Sequence, residues 1–149
     1  MRAVVQRVSR ASVETDGQMV ALIGAGILVL IAFQATDSEK DEQYMIDKIL
    51  NLRIFEDSDG KMNRSVADVN GGILLVPNFT LYGDARKGRR PSYSDSSDPQ
   101  TARGQFEMFC SRLKAVFPDL RTGVFQAEMN VSLMNDGPVT ILLDSDRKF

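Results

Sequence analysis

The sequence predicts an α+β fold, a single domain built on a barrel-like sheet with two main helices. Three observations carry this expectation. The 149 residues are 43% hydrophobic and 26% charged, ordinary proportions for one globular domain. A chain of this length buries roughly 68–70% of its unfolded surface and needs no staples. Short β-branched runs bounded by Gly, Asp, Asn and Pro recur along it, and only two stretches keep a helical period. These helices do not alternate with strands in the βαβ manner, which favours α+β or barrel-like architecture. No linker, low-complexity tract or internal repeat divides residues 1–149, so they are read as one domain.

Residues 3–8 and 11–15 are expected as short strands, and Asp16-Gly17 suits a two-residue type I′ hairpin. Residues 19–23 and 27–33 follow as apolar strands covered on both faces, around a Gly24-Ala25-Gly26 turn. Ser38 caps a helix over 39–51, with Glu39, Asp41 and Glu42 at its positive end. Met45, Ile49 and Leu52 supply its apolar stripe. Residues 53–56 form a brief strand and Asp57-Ser58-Asp59-Gly60 a turn. That turn lacks the ligand spacing and closing Glu of a calcium loop. Residues 72–76 and 79–81 carry another strand interrupted at Pro77, and 83–98 is a polar run. The best helix spans 99–117, with Pro99 in its first turn and Ala102, Phe106, Phe109, Leu113 and Val116 in period. Strands at 122–125, 128–134 and 139–143 complete the chain.

Composition excludes several chemistries. There is no His, which removes every Ser–His, Cys–His and His–metal mechanism. Cys110 alone makes neither an internal disulfide nor a Cys-based zinc site; beside Phe106 and Phe109 it is expected to be buried and inert. The carboxylates are scattered, so no metal and no cofactor is expected. A net charge of −2, from 18 Lys plus Arg against 20 Asp plus Glu, gives no global bias toward nucleic acid. The N-terminal Arg2 and Arg7 interrupt the apolar core a signal peptide needs. The apolar stretch 19–33 falls short of the roughly 18–20 residues of a spanning helix, and Gly24 and Gly26 break it. A soluble, cytoplasmic protein is expected.

Three segments could carry chemistry. Arg86-Lys87-Gly88-Arg89-Arg90 concentrates cations on a loop, which suits phosphate oxygens, although a solvated loop has the same composition. Asn135-Asp136-Gly137-Pro138-Val139-Thr140 has the signals of a hairpin turn. Its sharper reading is that Gly-Pro presents bare backbone to a ligand. Asn78-Phe79-Thr80-Leu81-Tyr82 sets amide, hydroxyl and phenol groups on one segment, where Thr80 has no visible base to activate it.

Together these segments resemble the D-aminoacyl-tRNA deacylase (D-tyrosyl-tRNA deacylase) family nearly end to end. The resemblance rests on the opening Met1-Arg2-Ala3-Val4-Val5-Gln6-Arg7-Val8-Ser9-Arg10-Ala11-Ser12-Val13 and on Lys48-Ile49-Leu50-Asn51-Leu52-Arg53-Ile54-Phe55. More specific still are Phe79-Thr80-Leu81-Tyr82-Gly83-Asp84 with the basic loop after it, and Val131-Ser132-Leu133-Met134-Asn135-Asp136-Gly137-Pro138-Val139-Thr140. The resemblance implies a homodimeric editing enzyme that hydrolyses the ester between a D-amino acid and tRNA, with glycyl-tRNA(Ala) as a second substrate. It implies that Gly137 and Pro138 form a cis peptide that enters the partner's pocket and rejects L-amino acids. Asn135 and Thr140 would fix that loop, Arg7 would lock it, and Met129 would line the aminoacyl pocket. Arg86, Lys87, Arg89 and Arg90 would hold tRNA. The family's Ser-Gln pair is replaced here by Pro77 and Asn78. Proline has neither hydroxyl nor N–H, which leaves the Phe79 and Thr80 backbone amides, the Thr80 hydroxyl and the shorter Asn78 amide as catalytic candidates.

The expected mechanism is attack by water, assisted by the terminal adenosine's own 2′-OH, with backbone amides as oxyanion donors worth about 2.7–4 kcal/mol each. The alternatives are covalent attack by Thr80, a relaxed paralogue that also accepts L-residues, and an inactive tRNA-binding homologue.

Overall fold

The computed structural model describes residues 1–148 and contains two α-helices and a nearly closed barrel-like sheet. Its organising element is β1 (Arg2–Thr15), one long strand where two short ones were expected. The final strand β8 (Asn130–Asp144) runs antiparallel along one edge of β1 for its whole length. The other edge is shared: Arg2–Val8 pairs with β3 (Gly26–Ala32), and Ala11–Thr15 with β2 (Gln18–Ile23). The register with β8 shifts between Val8 and Arg10. Such a bulge bends a strand without ending it, so β1 serves two neighbours in turn. Asp16 and Gly17 both take positive φ, at 51° and 73°, as the type I′ hairpin requires.

The sheet continues from β3 through β6 (Gly72–Pro77) to β7 (Leu120–Thr122), and both of these contacts are parallel. Parallel neighbours need a crossover. α1 (Glu39–Asn51) lies in the first and α2 (Pro99–Val116) in the second. The two helices therefore do bridge parallel strands. The small hairpin β4 (Phe55–Glu56) with β5 (Met62–Arg64) and the long polar run hide this alternation in the sequence. Within the intervening turn, the Asp57 carboxylate accepts the Asp59 and Lys61 backbone amides. The acidic cluster thus serves its own loop.

The central strands are buried on both faces with period two. Ile27, Val29 and Ile31 of β3, with Ile73 and Leu75 of β6, face the helices in the larger core cluster. Leu28, Leu74 and Val76 face the second cluster with Val8, Ala11, Val13 and Ile23. α1 contributes Met45, Ile46 and Ile49, and α2 contributes Phe106, Phe109 and Leu113. Phe33 packs edge-on against Phe106 and Phe109, at centroid distances of 6.5 and 6.0 Å. The Asp98 carboxylate caps α2 by accepting the Gln100 and Thr101 amides. The Ser38 amide and hydroxyl donate to Asp41 at the start of α1.

Four further expectations are corrected. β2 is not covered on both faces: Met19, Val20 and Leu22 are exposed, because in one chain nothing packs on its outer side. Val116 is likewise exposed at the end of α2. Residues 79–81 form a 3₁₀ turn (Phe79–Tyr82), not a strand. The segment 123–129 is irregular, with β7 ending at Thr122 and β8 beginning at Asn130. No helix among the described residues is long and apolar enough to cross a membrane.

Candidate active site

A cavity of about 880 Å³ opens beyond the carboxyl ends of the parallel strands β3 and β6, where open α/β sheets place their ligands. Its floor is Leu30–Phe33 and Val76–Pro77, and its walls come from residues 93–99 and 125–131. Asn78, Phe79 and Met129 line it; Thr80 lies just beyond the lining. The Met129 sulfur accepts the Val124 amide at 3.3 Å. Gly123 makes that seat possible, since a Cβ there would come within 2.8 Å of the sulfur. Cys110 is half-buried in α2, and burial pushes its thiol up to about 12. It stays protonated and unreactive.

Pro77 ends β6 opposite Ile31, and the Asn78 amide makes the last bond across, to the Ile31 carbonyl at 2.7 Å. β3 stops at Ala32, so the chain has no further ladder to join and tightens into the 3₁₀ turn. The Phe79 and Thr80 amides stand at the open start of that turn and have no acceptor among the described residues. The Thr80 hydroxyl donates to the Asn78 amide oxygen at 2.5 Å. An amide oxygen orients a hydroxyl but does not remove its proton, so nothing here makes Thr80 a strong nucleophile.

Asn135-Asp136-Gly137-Pro138 is not a hairpin turn. β8 passes straight through it, and β1 holds both flanks: Val8 pairs with Asn135 and Gln6 with Thr140. Asp136, Gly137, Pro138 and Val139 therefore bulge out opposite the single residue Arg7. The Gly137-Pro138 bond is cis. Arg7 is 7% exposed and binds three points around the bulge. Its Nη1 donates to the Ile54 carbonyl at 2.7 Å and its Nε to the Asp136 carbonyl at 3.2 Å, and it pairs with the Asp136 carboxylate at 3.1 Å. The Asn135 amide donates to the carbonyls of Arg7 and Val139, closing the base of the bulge. Gln6 donates to the Thr140 hydroxyl at 3.3 Å. Gly137 and Pro138 themselves are exposed and line no part of the cavity of their own chain.

The basic loop is closed at its neck by Asp84 and Ser92, which exchange backbone hydrogen bonds at 2.8 and 2.9 Å. Arg86 folds back on Asp84, with contacts of 2.9 and 2.7 Å to its two oxygens. Hydrogen bonds from the Arg86 side chain and amide hold the Asp84 carboxyl down to about 2. Lys87, Arg89 and Arg90 are exposed and pair with nothing among the described residues. Thus only three of the four expected cations are free to meet a partner. Phe79 and Tyr93 stack edge to face at 5.2 Å between this loop and the cavity. Sequence reasoning did not mark Gly123, or residues 93–99 and 125–128, as cavity walls, because their contribution comes from distant elements brought together.

A family profile described as D-Tyr-tRNA(Tyr) deacylase matches residues 4–144. A D-aminoacyl-tRNA deacylase of Desulfitobacterium hafniense is 54% identical over 149 residues, covering 100% of both chains. One of Fervidobacterium nodosum is 52% identical with the same full coverage. A solved structure described as c-Myc DNA Unwinding Element Binding Protein superposes with a TM-score of 0.92 at 41% identity, covering 97% of this chain and 98% of that one. The chain belongs to the D-Tyr-tRNA(Tyr) deacylase family.

Proposed function

We propose that this protein is a cytoplasmic ester hydrolase that removes D-amino acids from tRNA, and glycine from tRNA(Ala), working as a homodimer. The observation that carries the reading is the Arg7-bolted bulge. It presents Gly137-Pro138 as rigid bare backbone, outside the cavity of its own chain. A second copy supplies the missing relation, with the bulge of one subunit entering the cavity of the other. Leu133, Met134 and Leu142 on β8 are exposed and offer apolar surface that such a copy would cover.

A backbone wall of this kind selects by exclusion. Carbonyls hold an α-ammonium group but leave no pocket for a side chain, so an L-residue drives its Cβ into the wall. A D-residue turns its side chain out to solvent, and glycine has none to exclude. Rejection by clash discriminates more strongly than an added favourable contact. Met129 lines the aminoacyl pocket, while Asn135 and Thr140 hold the bulge at its two ends.

In the chemical step, water attacks the ester carbonyl, the carbonyl carbon–O3′ bond breaks, and the proton passes to the departing 3′-oxygen with the neighbouring 2′-OH as relay. The Phe79 and Thr80 amides receive the developing oxyanion, and Asn78 orients Thr80. Positioning of the ester contributes up to roughly 7–11 kcal/mol. Single-turnover mixing with D-tyrosyl-tRNA should release tyrosine far faster than buffer does, and Thr80→Ala should keep most of that rate. Collapse of the Thr80→Ala rate to background would mean that the hydroxyl attacks covalently. Tight tRNA binding without turnover by the unaltered protein would mark an inactive binder.

Lys87, Arg89 and Arg90 meet the phosphates, while Arg86 holds the loop through Asp84. Replacing Arg89 and Arg90 by Ala should weaken binding of all tRNAs alike. The slope of log affinity against log salt should fall by about 0.7–0.9 for each phosphate no longer neutralised.

A further inference from the structure

We infer that Arg2, seated on Asp144, is a positioning residue for the 3₁₀ turn that carries Asn78, Phe79 and Thr80; this rests on the reading of that turn as the oxyanion site. The two ends of the turn are held differently. Its start is anchored to the sheet by the Asn78 amide on the Ile31 carbonyl. Among the described residues its far end makes no backbone hydrogen bond to a strand, and the Arg2 side chain of β1 holds it instead. The Arg2 Nη1 donates to the Leu81 carbonyl at 3.2 Å, and the guanidinium lies over the Tyr82 ring at 4.6 Å. The Arg2 Nε donates to the Asp144 carboxylate at 3.0 Å.

Each contact fixes a different degree of freedom. Asp144 is 3% exposed, and its second oxygen accepts the Asp146 amide at 2.8 Å. The carboxylate is therefore fixed within β8 and cannot follow a displaced arginine. A charge-assisted hydrogen bond to a fixed, buried acceptor sets both the place and the plane of the guanidinium. That plane then sets the Tyr82 ring by cation–π contact, while the Leu81 bond sets the backbone one residue past Thr80. Burial pushes the Tyr82 phenol up, so the ring beneath the cation stays neutral at every working pH. A lysine would keep the charge and the pair with Asp144. Lacking the planar fork, it could not hold Leu81 and stack on Tyr82 at once.

Arg2 touches neither the cavity nor the reacting atoms, so its effect must pass through the turn. A misplacement on the order of 1 Å at a reacting group costs about 10²-fold in rate. Arg2→Lys should therefore lower kcat on D-tyrosyl-tRNA by about 10–10²-fold, with KM for the tRNA and the melting temperature nearly unchanged. The same substitution should cost as much in a Thr80→Ala background, because Arg2 acts through the backbone of the turn, which the loss of the Thr80 hydroxyl leaves in place. Arg2→Ala should be partly rescued by low concentrations of free guanidinium, with saturation. If Arg2→Lys does not fold, the guanidinium titration of Arg2→Ala, or of Arg2→Gln, decides the matter. Full kcat in a folded Arg2→Lys, or loss of KM and stability in proportion to kcat without guanidinium rescue, would overturn the inference. If the unaltered protein fails to hydrolyse D-tyrosyl-tRNA, the functional reading falls instead.

Discussion

Replacing Gly137 with alanine is expected to lower hydrolysis of D-tyrosyl-tRNA by about 10²-fold and to erode discrimination against the L-ester. The residue sits at φ +117°, where side chains are strained. A Cβ built there lies 2.8 Å from the Arg7 Nη2 and 2.9 Å from the Val139 Cγ2. Neither neighbour can yield cheaply. Arg7 is held by the Ile54 carbonyl and by Asp136, and Val139 is held through its carbonyl by Asn135. The bulge itself must move, and a shift near 1 Å at a positioning element costs about two orders of magnitude. Single-turnover rates with D- and L-tyrosyl-tRNA measure both effects. A Gly137→Ala protein with unchanged rate and unchanged discrimination would show that the bulge has no part in selection.

A tRNA ending in 2′-deoxyadenosine should be hydrolysed about 10²–10⁴-fold more slowly than its ribose counterpart, the usual range for one positioned proton-transfer group. The chain itself supports this expectation. It has no histidine, the Thr80 hydroxyl rests on an amide oxygen, and the turn Phe79–Tyr82 carries neither carboxylate nor amine. In the proposed mechanism the proton shuttle therefore comes from the substrate. Equal binding with a depressed rate is the predicted pattern. Normal hydrolysis of the deoxy substrate would return attention to Thr80, and Thr80→Ala would then be inactive.

Local signals were trustworthy where one segment decided its own conformation. Asp16-Gly17, Ser38 with Asp41, and Asp98 with Pro99 all behave as their residue types require. They failed where a distant strand held the decision. Asn135-Asp136-Gly137-Pro138 carries every mark of a turn, yet β1 pairs with both of its flanks, and the surplus residues become a bulge. Residues 79–81 look like a strand by composition, but β3 ends before it could pair with them. The apolar face of β2 suggests burial on both sides, whereas one copy of the chain leaves Met19, Val20 and Leu22 open. The candidate site was legible in the same uneven way. Motif resemblance marked Arg7, Asn78, Thr80, Met129 and Gly137 individually. The sequence could not reveal that Arg7 spans Ile54 and Asp136, that Gly123 seats Met129, or that Arg2 holds the far end of the turn.

A backbone wall at Gly137-Pro138 would select by chirality and not by side-chain identity. Single-turnover hydrolysis of D-tyrosyl-, L-tyrosyl- and glycyl-tRNA by the purified protein tests this selection. Loss of the D-tyrosyl and glycyl esters with the L-tyrosyl ester spared is the predicted result. Hydrolysis of all three at similar rates, or of none while tRNA still binds, would contradict it.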